Sequence, residues 1–271
     1  KRGSMERARV NGVKLVYEIH GTGEPLILIH GAQSDRGIFT GMLPDFTDQF
    51  EVLTYDQRGS GQSEKPDVEY TMGMIADDTA ALMDHVGFSS AHVYGVSMGG
   101  MIAQELAIRH GPAVRSLVLG CTTPGGSQAV SLQGESIERS HSTQDLSAEE
   151  RGTALAKTAF TPGHIEQHPE IIPALIEARR KQPLDPTGFA RRMQAAYAHN
   201  TFDRLSQITC PTLVITGKDD ALIAWENSQL LADNIADSKL VVLEPAGHVF
   251  WAEQPAQSRD AILTFLQKHK R

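Results

Sequence analysis

Hydrophobic positions along the chain follow two rhythms. Through the first 120 residues, apolar runs of strand length alternate with stretches whose apolar residues recur three or four apart. Arg7 to Val10 and Val13 to His20 flank Asn11-Gly12, which predicts a β-hairpin. Pro25 to Ile29 is a continuous apolar run, as expected of a strand buried on both faces. Phe50 to Tyr55 reads as another strand. Thr71 to Val86 has Ile75, Thr79, Leu82, Met83 and Val86 on one helical face. Ala91 to Val96 is a strand running straight into Ser97. Met98 to His110 reads as a helix stopped by Gly111-Pro112, and Arg115 to Gly120 as a strand. Strands separated by helices imply parallel pairing with right-handed crossovers.

The rhythm changes near Thr122. As far as Gln207 there is no strand signal, but helical spacing over Ser147 to Phe160, Pro169 to Lys181 and Gly188 to Ala198. Pro162-Gly163, Pro169, Pro173, Pro183 and Pro186 read as punctuation. Residues 122–207 are therefore expected to form a helical cap over the sheet. Strand–helix alternation returns with Thr212 to Thr216, a helix near Trp225 to Ile235, a last strand over Lys239 to Leu243, and a final helix over Ala256 to His269. The core domain is then 5–121 together with 208–271.

A chain of 271 residues suits one large α/β domain, or one domain with an insertion. Its core needs no metal or disulfide staple. With 40% hydrophobic and 21% charged residues, overall disorder is excluded. No apolar run reaches the ~20 residues of a membrane span. A net charge of −8 disfavours nucleic acid and anionic membrane as partners. Cys121 and Cys210 fall beyond opposite ends of neighbouring strands and are expected to be unpaired thiols. Lys1-Arg2-Gly3-Ser4 before Met5 reads as an expression-tag scar. The absence of an apolar leader makes the cytoplasm the expected compartment. Assembly into a homo-oligomer is left open.

Chemistry enters at Gly95-Val96-Ser97-Met98-Gly99. A serine between a strand and a helix sits on a sharp turn with strained dihedrals, and small residues two positions either side let that turn close. Composition alone would give this pattern on the order of 0.1 times in such a chain. The apolar strand before it and the helix after it therefore carry most of the weight. A serine nucleophile needs a base, and His248 follows the last strand, at the sheet edge where the elbow lies. The imidazole needs an orienting carboxylate. Asp219 and Asp220 both follow the Thr212–Thr216 strand at that edge; adjacent side chains diverge, so only one can reach, with Asp220 favoured and Asp219 the alternative. The expected oxyanion donors are the amides of Met98 and of Ala32, in the loop after the Pro25–Ile29 strand. His30 and Gly31 are expected to shape that loop. No cofactor or metal is called for.

These residues resemble the α/β-hydrolase superfamily over nearly the whole chain outside the insertion. The resemblance rests on His30-Gly31, Asp56-Gln57-Arg58-Gly59-Ser60-Gly61-Gln62-Ser63, Gly95-Val96-Ser97-Met98-Gly99-Gly100, Gly217-Lys218-Asp219-Asp220, and Gly247-His248 with Glu253-Gln254-Pro255. It implies an α/β-hydrolase fold: a mostly parallel, twisted eight-stranded sheet with helices on both faces and a helical cap inserted after the sixth strand. It also implies the order Ser97, Asp220, His248 for the triad. The chain is most similar to the group holding 3-oxoadipate enol-lactonases, cofactor-free haloperoxidase-like esterases and C–C bond hydrolases. Serine at 97 argues against the dehalogenase and epoxide-hydrolase branches, whose nucleophile is aspartate. The missing His-Gly-Gly-Gly stretch argues against the hormone-sensitive-lipase branch. The His30–Ser34 loop has no aromatic, unlike many haloperoxidase-like members.

The expected activity is hydrolysis of a small carboxylic ester or lactone through an acyl-enzyme. A C–C bond or enol-lactone hydrolase of aromatic-degradation type is the alternative, and a hydrolase-like receptor comes third. Leu155, Phe160, Ile171, Ile172, Leu175, Phe189, Met193 and Tyr197 are expected to pack inside the cap. Arg179-Arg180-Lys181 and Arg191-Arg192 are read as solvated helix faces. One of those arginines, turned inward, would hold a substrate carboxylate.

Overall fold

Asn11 and Gly12 both adopt positive φ, 44° and 77°, and turn β1 (Glu6–Val10) back onto β2 (Val13–Gly21). This hairpin edges an eight-stranded sheet in a computed structural model that describes residues 3–131 and 147–270. Lys1 and Arg2 of the expected tag scar, and residues 132–146 of the expected cap, lie outside the described residues. The sheet continues with β3 (Glu24–Ile29), β4 (Phe50–Asp56), β5 (Ala91–Val96), β6 (Val114–Gly120), β7 (Thr212–Gly217) and β8 (Ser238–Leu243). The spatial order is β1-β2-β4-β3-β5-β6-β7-β8. β2 pairs antiparallel with β1 and β4, and every other pairing is parallel.

The apolar strands feed two cores. Ile27 and Ile29 face one side with Val93, Leu117, Leu119 and Val214; Leu26 and Leu28 face the other with Tyr94, Val118, Leu213 and Ile215. Period-two alternation persists, but both faces are dry, so the strands read as unbroken apolar runs. Short α1 (Leu43–Thr47) precedes β4. Helices α2 (Met72–His85) and α3 (Met98–Arg109) cover the first face. Thr71 caps α2 by accepting a hydrogen bond from the Met74 amide.

Between β6 and β7 lie α4 (Ala148–Ala159), α5 (Pro162–Gln167), α6 (Ile171–Lys181) and α7 (Pro186–Tyr197). Then come α8 (Glu226–Asn234), short α9 (Phe250–Glu253) and α10 (Pro255–Lys268). α10 adds Ile262 and Leu266 to the second core. No helix among the described residues is long and apolar enough to cross a membrane.

The inserted helices depart from the sequence reading in three ways. Pro162-Gly163 opens a helix rather than interrupting one, because Thr161 caps it and proline is well tolerated in its first turn. The apolar residues expected inside the cap are only half-buried, and Tyr197 is exposed. Among the described residues of α4 to α7, the buried positions are small residues, Gly152, Ala156, Ala159, Gly188 and Ala195, with one arginine, Arg192. Small side chains let these helices approach their neighbours closely. α7 is seated this way: a Cβ on Gly188 would stand 2.3 Å from the Gly59 carbonyl oxygen and 2.8 Å from the Gly59 Cα.

Gly188→Ala should therefore push α7 off the core, at a cost of about 1–3 kcal/mol for overpacking. Calorimetry should show Tm lower by a few degrees. An unchanged Tm would mean that the contact has slack.

Candidate active site

Parallel strands deliver their following loops to one edge. Five of those loops carry the residues singled out above: His30 to Gln33 after β3, Ser97 after β5, Cys121 after β6, Asp219-Asp220 after β7 and His248 after β8. Ser97 has φ 56° and ψ −125°, a conformation that L-residues adopt only under constraint. The constraint is steric. A Cβ on Gly95 would meet the Gly99 carbonyl oxygen at 2.2 Å, and one on Gly99 would meet the Ile29 carbonyl oxygen at 2.0 Å. The turn is pinned as well. The Ser97 amide donates to Gly120 O at 2.8 Å, and Thr122 Oγ1 donates to Ser97 O at 2.7 Å. Met98 begins α3, so the first amides of that helix have no intrahelical acceptor.

The two aspartates have different surroundings: Asp219 is exposed and Asp220 is buried. Asp220 Oδ1 accepts from the amides of Leu222 and Ile223 at 2.8 and 2.9 Å, while Oδ2 lies 2.7 Å from His248 Nδ1. The His248 loop is held from behind by Glu253. Its carboxylate accepts from the Gly247 amide at 2.8 Å and from Thr161 Oγ1 at 2.5 Å, tying loop to cap. That is a physical reason for the Glu253-Gln254-Pro255 segment after the histidine.

The loop after β3 lies against the elbow, with Gly31 so close that a Cβ there would stand 3.2 Å from Ser97 Cβ. His30 is fully buried, with Nδ1 at 2.8 Å from Gly31 O and Nε2 at 3.1 Å from Ser60 Oγ. Burial and the nearby Arg192 lower its pKa to about 3, so it is a neutral strut. The Asp56–Ser63 segment is likewise braced, by ion pairs to neighbouring elements: Asp56 pairs with Arg36 at 2.6 Å and Arg58 with Asp78 at 2.5 Å.

Two features escaped the sequence reading. Arg179 and Arg192 do not belong to solvated faces. Arg192 is fully buried, donating to Ala32 O at 2.8 Å and Gly59 O at 3.3 Å, and Arg179 donates to Gln33 O at 2.8 Å. The loop holding Ala32 is thus gripped by two cap guanidiniums. Burial pushes Arg192 down to about 10, which leaves it charged at neutral pH. Arg180 and Lys181 are exposed, as expected, and Arg191 pairs with Asp67 at the surface. The second feature is Cys121. It is unpaired, as expected, but its Sγ lies 3.9 Å from His248 Nε2. Its position directly after β6 was the available signal. Separately, a cleft of about 500 Å³ runs between the start of α2 and the end of α7, and none of Ser97, Asp220 and His248 lines it.

The fold and this edge define the class: residues 24–255 match the alpha/beta hydrolase fold family, and the chain belongs to it. It is 29% identical over 262 residues to 3-oxoadipate enol-lactonase 2 of Acinetobacter baylyi, covering 94% of each chain. The crystal structure of the enol-lactonase from Burkholderia xenovorans superposes with a TM-score of 0.86 at 26% identity, covering 97% of this chain and 100% of that one. A thermophilic esterase from Thermogutta terrifontis, solved with malate bound, gives 0.84 at 26% identity over 99% and 100%.

Burial opposes a charged His248 ring, but the Asp220 carboxylate outweighs it, and the pKa stands well above the ordinary imidazole value. The ion pair therefore contributes stability that is full below the unfolded imidazole pKa, about 6.5, and lost as pH rises through the folded value. NMR of the His248 ring should show a titration midpoint above 6.5, moving down in Asp220→Asn. A midpoint at or below 6.5 in the parent protein would contradict the coupling.

Proposed function

We propose that this protein is a serine hydrolase that cleaves a carboxylic ester or lactone through a covalent acyl-enzyme. The observation that carries this reading is the His248–Asp220 hydrogen bond at the sheet edge that also bears the strained Ser97. Ser97 Oγ attacks the acyl carbon while His248 Nε2 takes its proton. Asp220 keeps the remaining ring proton on Nδ1 and stabilises the imidazolium. The tetrahedral oxyanion is held by the amides of Met98 and Ala32, each worth about 3–4 kcal/mol in the transition state. His248 then protonates the leaving alkoxide, and the acyl-enzyme forms. Water attacks the ester of Ser97 by the same route, releasing the acid and restoring the serine. A lactone gives a hydroxy acid as a single product.

A narrower reading, an enol-lactone or other substrate that itself bears a carboxylate, is favoured by Arg179. Its guanidinium sits beside the loop that holds Ala32 and makes no ion pair among the described residues. A substrate carboxylate would supply that partner. The relationship to the two enol-lactonases supports this reading, and that to the esterase supports the broader one.

The test is turnover of p-nitrophenyl esters from acetate to decanoate, and of lactones with and without a carboxylate, with Ser97→Ala in parallel. Short neutral esters should be cleaved, with Ser97→Ala slower by about 10⁴-fold or more in kcat. If Arg179 selects the substrate, carboxylate-bearing lactones will have the higher kcat/KM. An active Ser97→Ala protein would overturn the mechanism.

A further inference from the structure

The catalytic reading uses Ser97, Asp220 and His248 and leaves the Cys121 thiol without a role. That thiol is fully buried, and burial raises its pKa, so it rests protonated. Cys121 is one of three non-glycine residues at positive φ among the described residues, 40°, with its amide donating to Ile215 O at 2.9 Å. This conformation fixes the side chain toward the histidine. Sγ of Cys121, a ring nitrogen of His248 and a carboxylate oxygen of Asp220 all lie within 4.8 Å of one another.

From this geometry we infer that Cys121 Sγ and His248 Nε2 form a two-ligand seat for a soft divalent cation such as Zn²⁺, and that occupancy switches the hydrolase off. Tetrahedral zinc, with bonds of about 2.3 Å to sulfur and about 2.0 Å to nitrogen, sets those atoms about 3.5 Å apart. The observed 3.9 Å needs only a small adjustment. Asp220 is not required as a ligand. Its Oδ2 already holds His248 Nδ1, the outer carboxylate that orients a metal-bound histidine, and its Oδ1 is satisfied by two amides. On binding, the thiol and the Nε2–H of the charged ring each lose a proton to water, the thiolate and the freed Nε2 lone pair coordinate the ion, and the Nδ1 proton stays on the ring, donated to Asp220. The two remaining positions are left to water, which makes the site reversible rather than structural. The ion occupies the lone pair that must accept the Ser97 proton, so binding and turnover exclude each other. The inhibitory consequence rests on the proposed hydrolase reading, whereas ion binding does not.

Zinc titration by calorimetry should be run on the wild type, Ser97→Ala, Cys121→Ser and Cys121→Ala. Co²⁺ should be added in parallel to look for a near-ultraviolet thiolate-to-metal band. The control matters because His164 and His168, with ring centroids 4.4 Å apart on the cap, offer a competing imidazole site with no thiol. The wild type and Ser97→Ala are expected to bind Zn²⁺ and to show the cobalt–thiolate band. The cysteine variants should lose the band and bind about tenfold or more weakly. Ester turnover by the wild type should fall with zinc occupancy and return with EDTA. No cobalt–thiolate band in the folded wild type, or equal zinc affinity in the cysteine variants, would overturn the site. Zinc binding with the band, in a protein that cleaves no ester, would leave the site standing and remove the hydrolase reading instead.

Discussion

The crossing of the turn at Ser97 over the end of β3 sets everything else at this edge. Only glycine at 99 lets the start of α3 lie against the Ile29 carbonyl, and only glycine at 95 lets the strand leave room for Gly99. Backbone strain at one serine is then sustained by well-made packing around it. Because the turn is tight, the serine stands up from the sheet edge with the start of a helix beneath it. The same tightness brings Gly31 against Ser97, and with it the loop that carries Ala32.

The inserted helices are part of this arrangement rather than a detachable cover. Arg192 and Arg179 reach down to the carbonyls of Ala32 and Gln33, and Glu253 links the histidine loop to Thr161. A buried guanidinium without a carboxylate in hydrogen-bonding contact is costly unless its donors are met. Here two backbone carbonyls of the core, Ala32 O and Gly59 O, accept from the guanidinium, so Arg192 ties the position of α7 to the shape of the loop after β3. The position of the inserted helices and the geometry of this sheet edge are thereby physically coupled.

Most of this was legible in the chain. The alternation of buried strands with amphipathic helices gave the sheet, because both signals are local and strong. The sharp turn at Ser97 and the Asp220–His248 hydrogen bond lie where the sequence reading placed them, because each follows directly on a strand with a strong apolar signal. Three things were not legible. Runs of arginine on a helix look solvated from sequence, and only the path of α7 across Gly59 shows that Arg192 is interior. The half-exposed apolar residues of the cap carry normal helical spacing, which says nothing about what covers them. Cys121 gave no sign beyond its place after β6, since its contact with His248 is a tertiary fact set by a positive φ.

The central claim is that Ser97 is a nucleophile activated by His248. Mass spectrometry of the protein after exposure to a fluorophosphonate tests it directly, with no assumption about the substrate. The account predicts one phosphonyl adduct per chain, on the peptide bearing Ser97, absent in Ser97→Ala and formed far more slowly in His248→Ala. No adduct on the folded protein, or one that persists in Ser97→Ala, would contradict it.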